Sequence, residues 1–316
     1  MRSFSIYRLA ILNKPKEEQV LSYFNGTSDL FEVTVSFYKS LSEEKRDYYD
    51  TKGNKRTFSI STDFNVFDEE RYVLSNLDSA YTGEDFEIRD GFSNSLSYSV
   101  SKNDLQNRKL FSLIYIPKKR KYGYVVFENK SNHGVKSIFE NQFNKFLKEE
   151  GFLESKLELT SGLNFKYLSN MIEKGTLKKV RLINYTFSQS IQLSLWNKLN
   201  IRPIGEEVRE LKFKNKIKNE TFKLELYKLF FSKDKIEDKI DFRGQYDVDE
   251  ISFEMNYNSS TKTFYVRDKS KMRPNIDVQK LLDFIDDDPT YESMKRVAFE
   301  LIDQIEGYNF DDLEVA

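Results

Sequence analysis

The sequence predicts an α+β protein: an antiparallel, sheet-rich N-terminal part runs into strand–helix alternation, and a second module of sheet and helices follows. Three patterns predict it. Residues 2–127 carry period-two alternation in short runs. Residues 135–185 switch between helical and strand spacing, and residues 205–316 return to hairpin and helix patterns.

Strands are expected at Arg2–Leu12, Leu30–Tyr38, Arg56–Phe64, Leu96–Val100, Leu110–Ile116 and Tyr122–Phe127. The last two flank Pro117-Lys118-Lys119-Arg120-Lys121, where proline cannot continue a ladder and four cations keep the turn in water. Their unbroken apolar runs place both strands centrally in a sheet. A helix follows on Val135, Ile138, Phe139, Phe143, Phe146 and Leu147, with Gly151 as its terminator. Lys156–Thr160 reads as a strand, Phe165, Leu168, Met171 and Ile172 as a helix ending at Gly175, and Lys178–Tyr185 as another strand. These crossovers are long enough for parallel neighbours.

Ile201-Arg202-Pro203-Ile204-Gly205 has the character of a connection, so a boundary near 190–205 divides the chain into regions 1–190 and 205–316. In the second region Val208–Ile217 and Thr221–Phe231 read as strands, and Ile251–Tyr257 with Thr263–Val266 as a hairpin. Two helices close the chain. The first carries Ile276, Leu281, Leu282 and Ile285; the second starts at Asp288-Pro289 and buries Tyr291, Met294, Ala298, Leu301, Ile302 and Ile305.

Composition narrows the chemistry. Among 316 residues there is no cysteine and one histidine, so disulfides, thiol nucleophiles and zinc–thiolate sites are excluded, as is any site needing two histidines of one chain. No Walker A, G-x-G-x-x-G or G-x-S-x-G sequence occurs. No run of apolar residues is long enough for a membrane span, and the N-terminal segment, interrupted by Arg8, reads as a strand rather than a signal peptide. The abundance of Lys, Asn, Ile, Phe and Tyr over Gly and Pro is that of an AT-rich bacterial genome, which makes the cytoplasm the expected compartment.

Charge is segregated, although 50 basic residues nearly balance 51 acidic ones. Residues 102–136 hold nine Lys/Arg against two acids, and 166–228 hold fourteen against six. Residues 43–90 hold thirteen acids against seven bases, and 277–314 twelve against three. A basic middle of this kind is expected to meet phosphate backbones, through Lys118, Lys119, Arg120, Lys121, Lys178, Lys179, Arg181, Lys212, Lys214, Lys216 and Lys218. Lysines at every second residue from 212 to 218 would share one face of a strand. The competing expectation is an ordinary solvated strand face, or basic middle matched to acidic ends within or between chains.

Catalytic candidates are fewer. Glu128-Asn129-Lys130, ending a strand before a helix, matches the E-x-K half of a PD-(D/E)xK nuclease motif, in which carboxylates hold Mg²⁺ and the lysine stabilises developing charge. The preceding strand should supply another acid and Leu110–Ile116 contains none. His133, before a helix N-terminus, is a candidate general base or anion contact, or simply a helix-entry residue. Asp286-Asp287-Asp288 could take a cation or merely open a helix, and Trp196 could anchor an interface or pack a core.

The stretch Lys121–Phe127, followed by Gly134–Glu140 and Phe143–Leu147, resembles bacterial domain-of-unknown-function proteins that accompany phage-defence genes. The resemblance covers a hairpin and the helix after it and implies a setting in antiviral immunity, with no catalytic motif attached. The expectation is therefore a non-catalytic recognition or scaffold component that needs no cofactor and binds nucleic acid or a partner protein of the same defence operon. A Mg²⁺-dependent nuclease using Glu128 and Lys130, and a charge-matched homo-oligomer, are the alternatives.

Overall fold

The computed structural model describes residues 2–49, 53–60, 64–130, 133–185, 205–213, 220–231, 248–257 and 260–306. The chain is α+β and divides into two compact units, residues 1–162 with 274–303, and residues 163–273 with 304–316. The boundary expected near 190–205 falls inside the second unit, mostly on residues outside the described ones.

The first unit begins with β1 (Arg2–Leu12), α1 (Leu30–Glu43), β2 (Arg46–Tyr49), β3 (Lys55–Ile60), β4 (Asn65–Phe67) and β5 (Tyr72–Tyr81). It continues with β6 (Phe86–Arg89), β7 (Leu96–Val100), β8 (Gln106–Tyr115), β9 (Tyr122–Lys130), α2 (Lys136–Glu149) and β10 (Lys156–Ser161). Its sheet runs β10-β1-β9-β8-β5-β3-β2, with β4 beside β5, and every pairing is antiparallel. The parallel neighbours expected around α2 are not adjacent. β9 and β10 do run the same way, but β1 lies between them and pairs with both. A crossover helix thus spans one inserted strand, as in split βαβ units.

Residues 30–38 form a helix, not the expected strand. Val33 and Val35 give the run a β-like composition, yet its buried positions Leu30, Thr34, Phe37, Tyr38 and Leu41 follow helical spacing. Asp29 caps the start by accepting the Phe31 N–H at 2.9 Å. α1 and α2 cover one face of the sheet, where Phe37 meets Phe139, Phe143 and Phe146 and the cluster includes Leu9, Ile11, Val73, Leu77, Leu110, Ile114, Val125 and Phe127. Within this face the Tyr38 hydroxyl reaches Ser112 (3.2 Å), which reaches Ser75 (2.7 Å), and burial pushes the Tyr38 phenol up to about 12. Among the described residues β6 and β7 pair only with each other, as a ribbon on which Phe86, Ile88, Phe92, Leu96 and Tyr98 are exposed.

The second unit holds α3 (Phe165–Lys174), β11 (Thr176–Asn184), β12 (Glu207–Lys212), α4 (Glu220–Phe231), β13 (Glu250–Tyr257) and β14 (Ser260–Tyr265). Its antiparallel sheet runs β12-β11-β13-β14. Thr221–Phe231, expected as a strand, is part of helix α4: Leu226 and Phe230 stand a turn apart and both are buried. Phe230 meets Phe253 and Phe264, which stack at 4.8 Å, over a core shared with Leu168, Met171 and Val180.

The chain then returns to the first unit. β15 (Asn275–Asp277) pairs with Ser3–Ser5 of β1, and α5 (Tyr291–Glu306) brings Tyr291 against Phe111 and Phe299 against Tyr72 and Tyr115, on the sheet face opposite α1 and α2. The helix expected through Ile276–Ile285 is absent. Ile276 is instead a strand residue opposite Phe4, and β16 (Phe284–Ile285) with β17 (Asp288–Pro289) form a tight hairpin. Asp286 (φ 50°) and Asp287 (φ 66°) are its two turn residues, both left-handed, as a type I′ turn requires. The acidic triplet therefore serves a turn, and the cap of α5 is Thr290, whose Oγ1 accepts the Ser293 N–H at 3.2 Å.

Candidate nucleic-acid interface

The expected basic residues sit in both units. Lys118, Lys119, Arg120 and Lys121 are exposed in the β8–β9 loop of the first unit. Among the described residues, Lys118, Lys119 and Lys121 have no carboxylate in ion-pair contact.

The loop is fixed from both sides. Lys119 is left-handed (φ 58°) and its N–H donates to Ser22 Oγ at 3.3 Å, while the Arg120 carbonyl accepts the Leu21 N–H at 2.8 Å. At its base the Ile116 carbonyl accepts Arg71 Nε at 2.8 Å, and the Ile116 N–H donates to the Arg71 carbonyl at 3.0 Å. Arg71 is buried and grips Asp29 with both terminal nitrogens at 2.8 and 2.7 Å. Burial pushes the Asp29 carboxyl up, but Arg71 and the Phe31 N–H outweigh it and hold the group below its usual range. Gly123 lets the strands close beneath the loop, because a Cβ there would lie 2.2 Å from the Tyr115 carbonyl oxygen. The four cations are thus carried on a turn whose ordering cost is met by the fold rather than at binding.

Register adds cations that the sequence patches missed. β1 pairs with β9 so that Ala10 faces Tyr122, and with β10 so that Leu12 faces Lys156. Lys14 and Lys16, just past β1, and Lys156 therefore share the sheet end that carries the loop, as does Tyr23, 63% exposed beside Ser22. Lys14 pairs with Glu154 at 3.1 Å. Arg8 lies over the Tyr122 ring at 4.4 Å and holds Glu18 in a fork at 2.5 and 2.7 Å; that hydrogen bond keeps the Glu18 carboxyl low despite some burial. The signal for this convergence was the assignment of residues 2–12 as a strand, but its partner was not readable.

The second unit's cations have different surroundings. Arg181 donates to Glu210 at 2.6 Å, Lys212 approaches Glu210 at 3.1 Å, and Lys179 approaches Glu254 at 2.9 Å. Hydrogen bonds from Arg181 and Lys212 hold the Glu210 carboxyl low. Arg181 faces Glu210 across the β11–β12 ladder, with Lys212 two residues along β12 from Glu210, and Lys179 faces Glu254 across β11–β13. Lys178 is exposed. Lys214, Lys216, Lys218 and Trp196 lie outside the described residues.

Glu128 and Lys130 are brought together in a different chemistry from the one expected. Glu128 is buried, its Oε1 bound by Arg2 at 2.7 Å and its Oε2 by the Phe111 N–H at 3.1 Å. Lys130 stands 3.8 Å from Oε2 and donates to the Lys109 carbonyl at 2.8 Å; burial lowers its pKa, against the pull of Glu128. Arg2 also reaches Asp288 at 3.0 Å, so a guanidinium lies between two carboxylates where the motif would place a metal. Among the described residues no three Asp, Glu or His side chains converge to hold one. The donor set does not fit Mg²⁺, because both oxygens of Glu128 are already engaged.

His133 stacks on Tyr81 at 5.5 Å, and burial followed by neighbouring Arg108 lowers its pKa. No helix among the described residues is long and apolar enough to cross a membrane. Comparison with protein-family models finds no match, and comparison with curated proteins finds none.

Proposed function

We propose that this chain is a non-catalytic recognition component of a bacterial antiviral defence system, and that it binds nucleic acid through the cationic end of its first unit. The observation that carries the binding half is the anchored β8–β9 loop, which presents Lys118, Lys119 and Lys121 without carboxylates in contact beside Lys14, Lys16 and Lys156. Cations held at a strand end track a phosphate backbone and carry no base code, so binding is expected to be largely independent of sequence. The exposed Tyr23 ring offers a stacking surface for unpaired bases. The defence setting rests on the resemblance of Lys121–Leu147 alone.

Fluorescence anisotropy with single- and double-stranded oligonucleotides at low and moderate salt tests the binding. Affinity is expected to fall steeply with salt. Reversing Lys118, Lys119 and Lys121 to glutamate should cost at least about tenfold and flatten the salt slope by roughly two to three. Salt-independent binding, or an unchanged slope in the triple variant, would exclude this surface.

A further inference from the structure

We propose that Arg108, Arg56 and His133, gathered around the Tyr81 ring, form a second and separate site that takes a phosphate dianion. The four residues come from four places in the first unit. Arg108 is on β8, Arg56 on β3 directly opposite Tyr81 of β5, and His133 follows β9 just before α2. Register puts them on one face. Arg108 faces Ser79 across β5–β8, two residues from Tyr81, so both side chains leave the sheet on the side of α1 and α2. The Arg56 and Arg108 guanidinium carbons lie 4.9 and 5.5 Å from the Tyr81 ring centre, and the imidazole stacks on that ring at an interplanar angle of 14°.

What the cluster lacks is an anion for Arg108. Among the described residues no carboxylate pairs with it, and its Nη1 is buried with no hydrogen-bond partner. A guanidinium nitrogen shut away from water without an acceptor is costly, and the cost is recovered by an oxyanion that accepts from the planar fork. The groups are half-buried, so solvent reaches the cluster while its dielectric stays below that of water. Glu84, which is exposed, is the acidic side chain felt by His133, and it opposes the effect of Arg108 and Arg56 on that ring. Arg108 disfavours the protonated form of the His133 ring, and a dianion beside the guanidinium turns that repulsion into attraction.

The site does not depend on the nucleic-acid reading. Arg108 lies near the start of β8 and the cationic loop follows its end, about 25 Å away at strand rise. Phosphate could arrive as a free phosphomonoester or as the terminal phosphate of a nucleic acid, and the chemistry of recognition is shared.

The chain contains one histidine, so the imidazole Cε1–H gives one proton NMR signal to follow. Titrating pH with and without millimolar inorganic phosphate, at matched ionic strength, should raise the apparent pKa of His133 by roughly one unit. At fixed pH the signal should move saturably with phosphate. Arg108→Gln should abolish the saturable movement, with Arg108→Lys restoring part of it, while the Lys118, Lys119 and Lys121 glutamate variant keeps it in full. A 5′-phosphorylated dinucleotide acting where its unphosphorylated twin does not marks a terminal phosphate as a ligand. A response to free phosphate alone confines the site to small phosphomonoesters. His133 titrating identically with and without phosphate in the wild-type protein would overturn the proposal, whether or not any variant folds. So would a full response in folded Arg108→Gln.

Discussion

Lys262 shows how a single residue's burial becomes a pH-dependent term. It is buried in the second unit, donates to the Arg273 carbonyl at 2.9 Å and has the Tyr167 ring at 5.6 Å, and burial lowers its pKa to about 8. Between about pH 8 and the ordinary lysine value the folded state holds fewer protons than the unfolded chain, so stability rises with pH across that window. Below it the folded state bears the full cost of a buried ammonium, on the order of 3 kcal/mol from the size of the shift. Lys262→Met should therefore stabilise the second unit near neutral pH by about 1–3 kcal/mol, with the gain shrinking above about pH 8. Urea unfolding at neutral and alkaline pH checks both the sign and the window. The composition of a strand such as Thr261–Tyr265 could not announce this lysine. Its neighbours Thr261 and Thr263 alternate with it as on any half-exposed strand, and only the placement of Arg273 and Tyr167 closes the face.

Among the elements, legibility followed whether local composition and tertiary packing agree. The β8–β9 hairpin was readable because proline, cations and apolar runs all point to one structure. The α1 segment was not, since Phe31, Val33, Val35 and Phe37 alternate like a strand while Thr34, Phe37, Tyr38 and Leu41 pack as a helix. Asp29 decides that contest locally, and it also holds Arg71 at the base of the cationic loop. Asp29→Ala should cost about 2–4 kcal/mol, the sum of a lost cap and a largely buried ion pair broken on one side. Asp29→Asn, which keeps an acceptor for the cap, should lose less. Because the Asp29 carboxyl is held low, its contribution is present above the unfolded carboxylate pKa and is lost as pH falls through the folded one, so the Ala variant and wild type should converge in acid. The candidate interface was half legible for a related reason. Charge runs within one segment are visible in a sequence, whereas Lys14 and Lys156 join the loop only through strand pairing. The neutralising Glu210, beside Arg181 and Lys212, was hidden in the same way.

Across the whole molecule, the first unit's sheet has an edge made of two pieces of chain. Ser161 of β10 faces Tyr7, the Gly162 N–H donates to the Ile6 carbonyl at 2.9 Å, and Asn275 of β15 faces Ser5. β15 thus takes up the line of β10 in the same direction, one residue on, and the second unit is inserted at a break in what is otherwise a single strand along β1. Joining Gly162 directly to Asn275 should preserve the register on both sides. The shortened chain is expected to fold and to unfold in one cooperative transition, measured by circular dichroism and urea. Loss of cooperative unfolding would mean that the first unit needs the insert to fold.

That broken edge also sets a timetable during synthesis. By the time Gly162 leaves the ribosome, most of the sheet can assemble, yet the side of Ser3–Ser5 away from β9 has no neighbour until roughly 110 further residues are translated. At elongation rates of roughly 5–20 residues per second that is a wait of roughly 5–20 s. Throughout it, backbone donors and acceptors on β1 stay open to any passing strand, and α5, which covers the opposite face, has yet to be made.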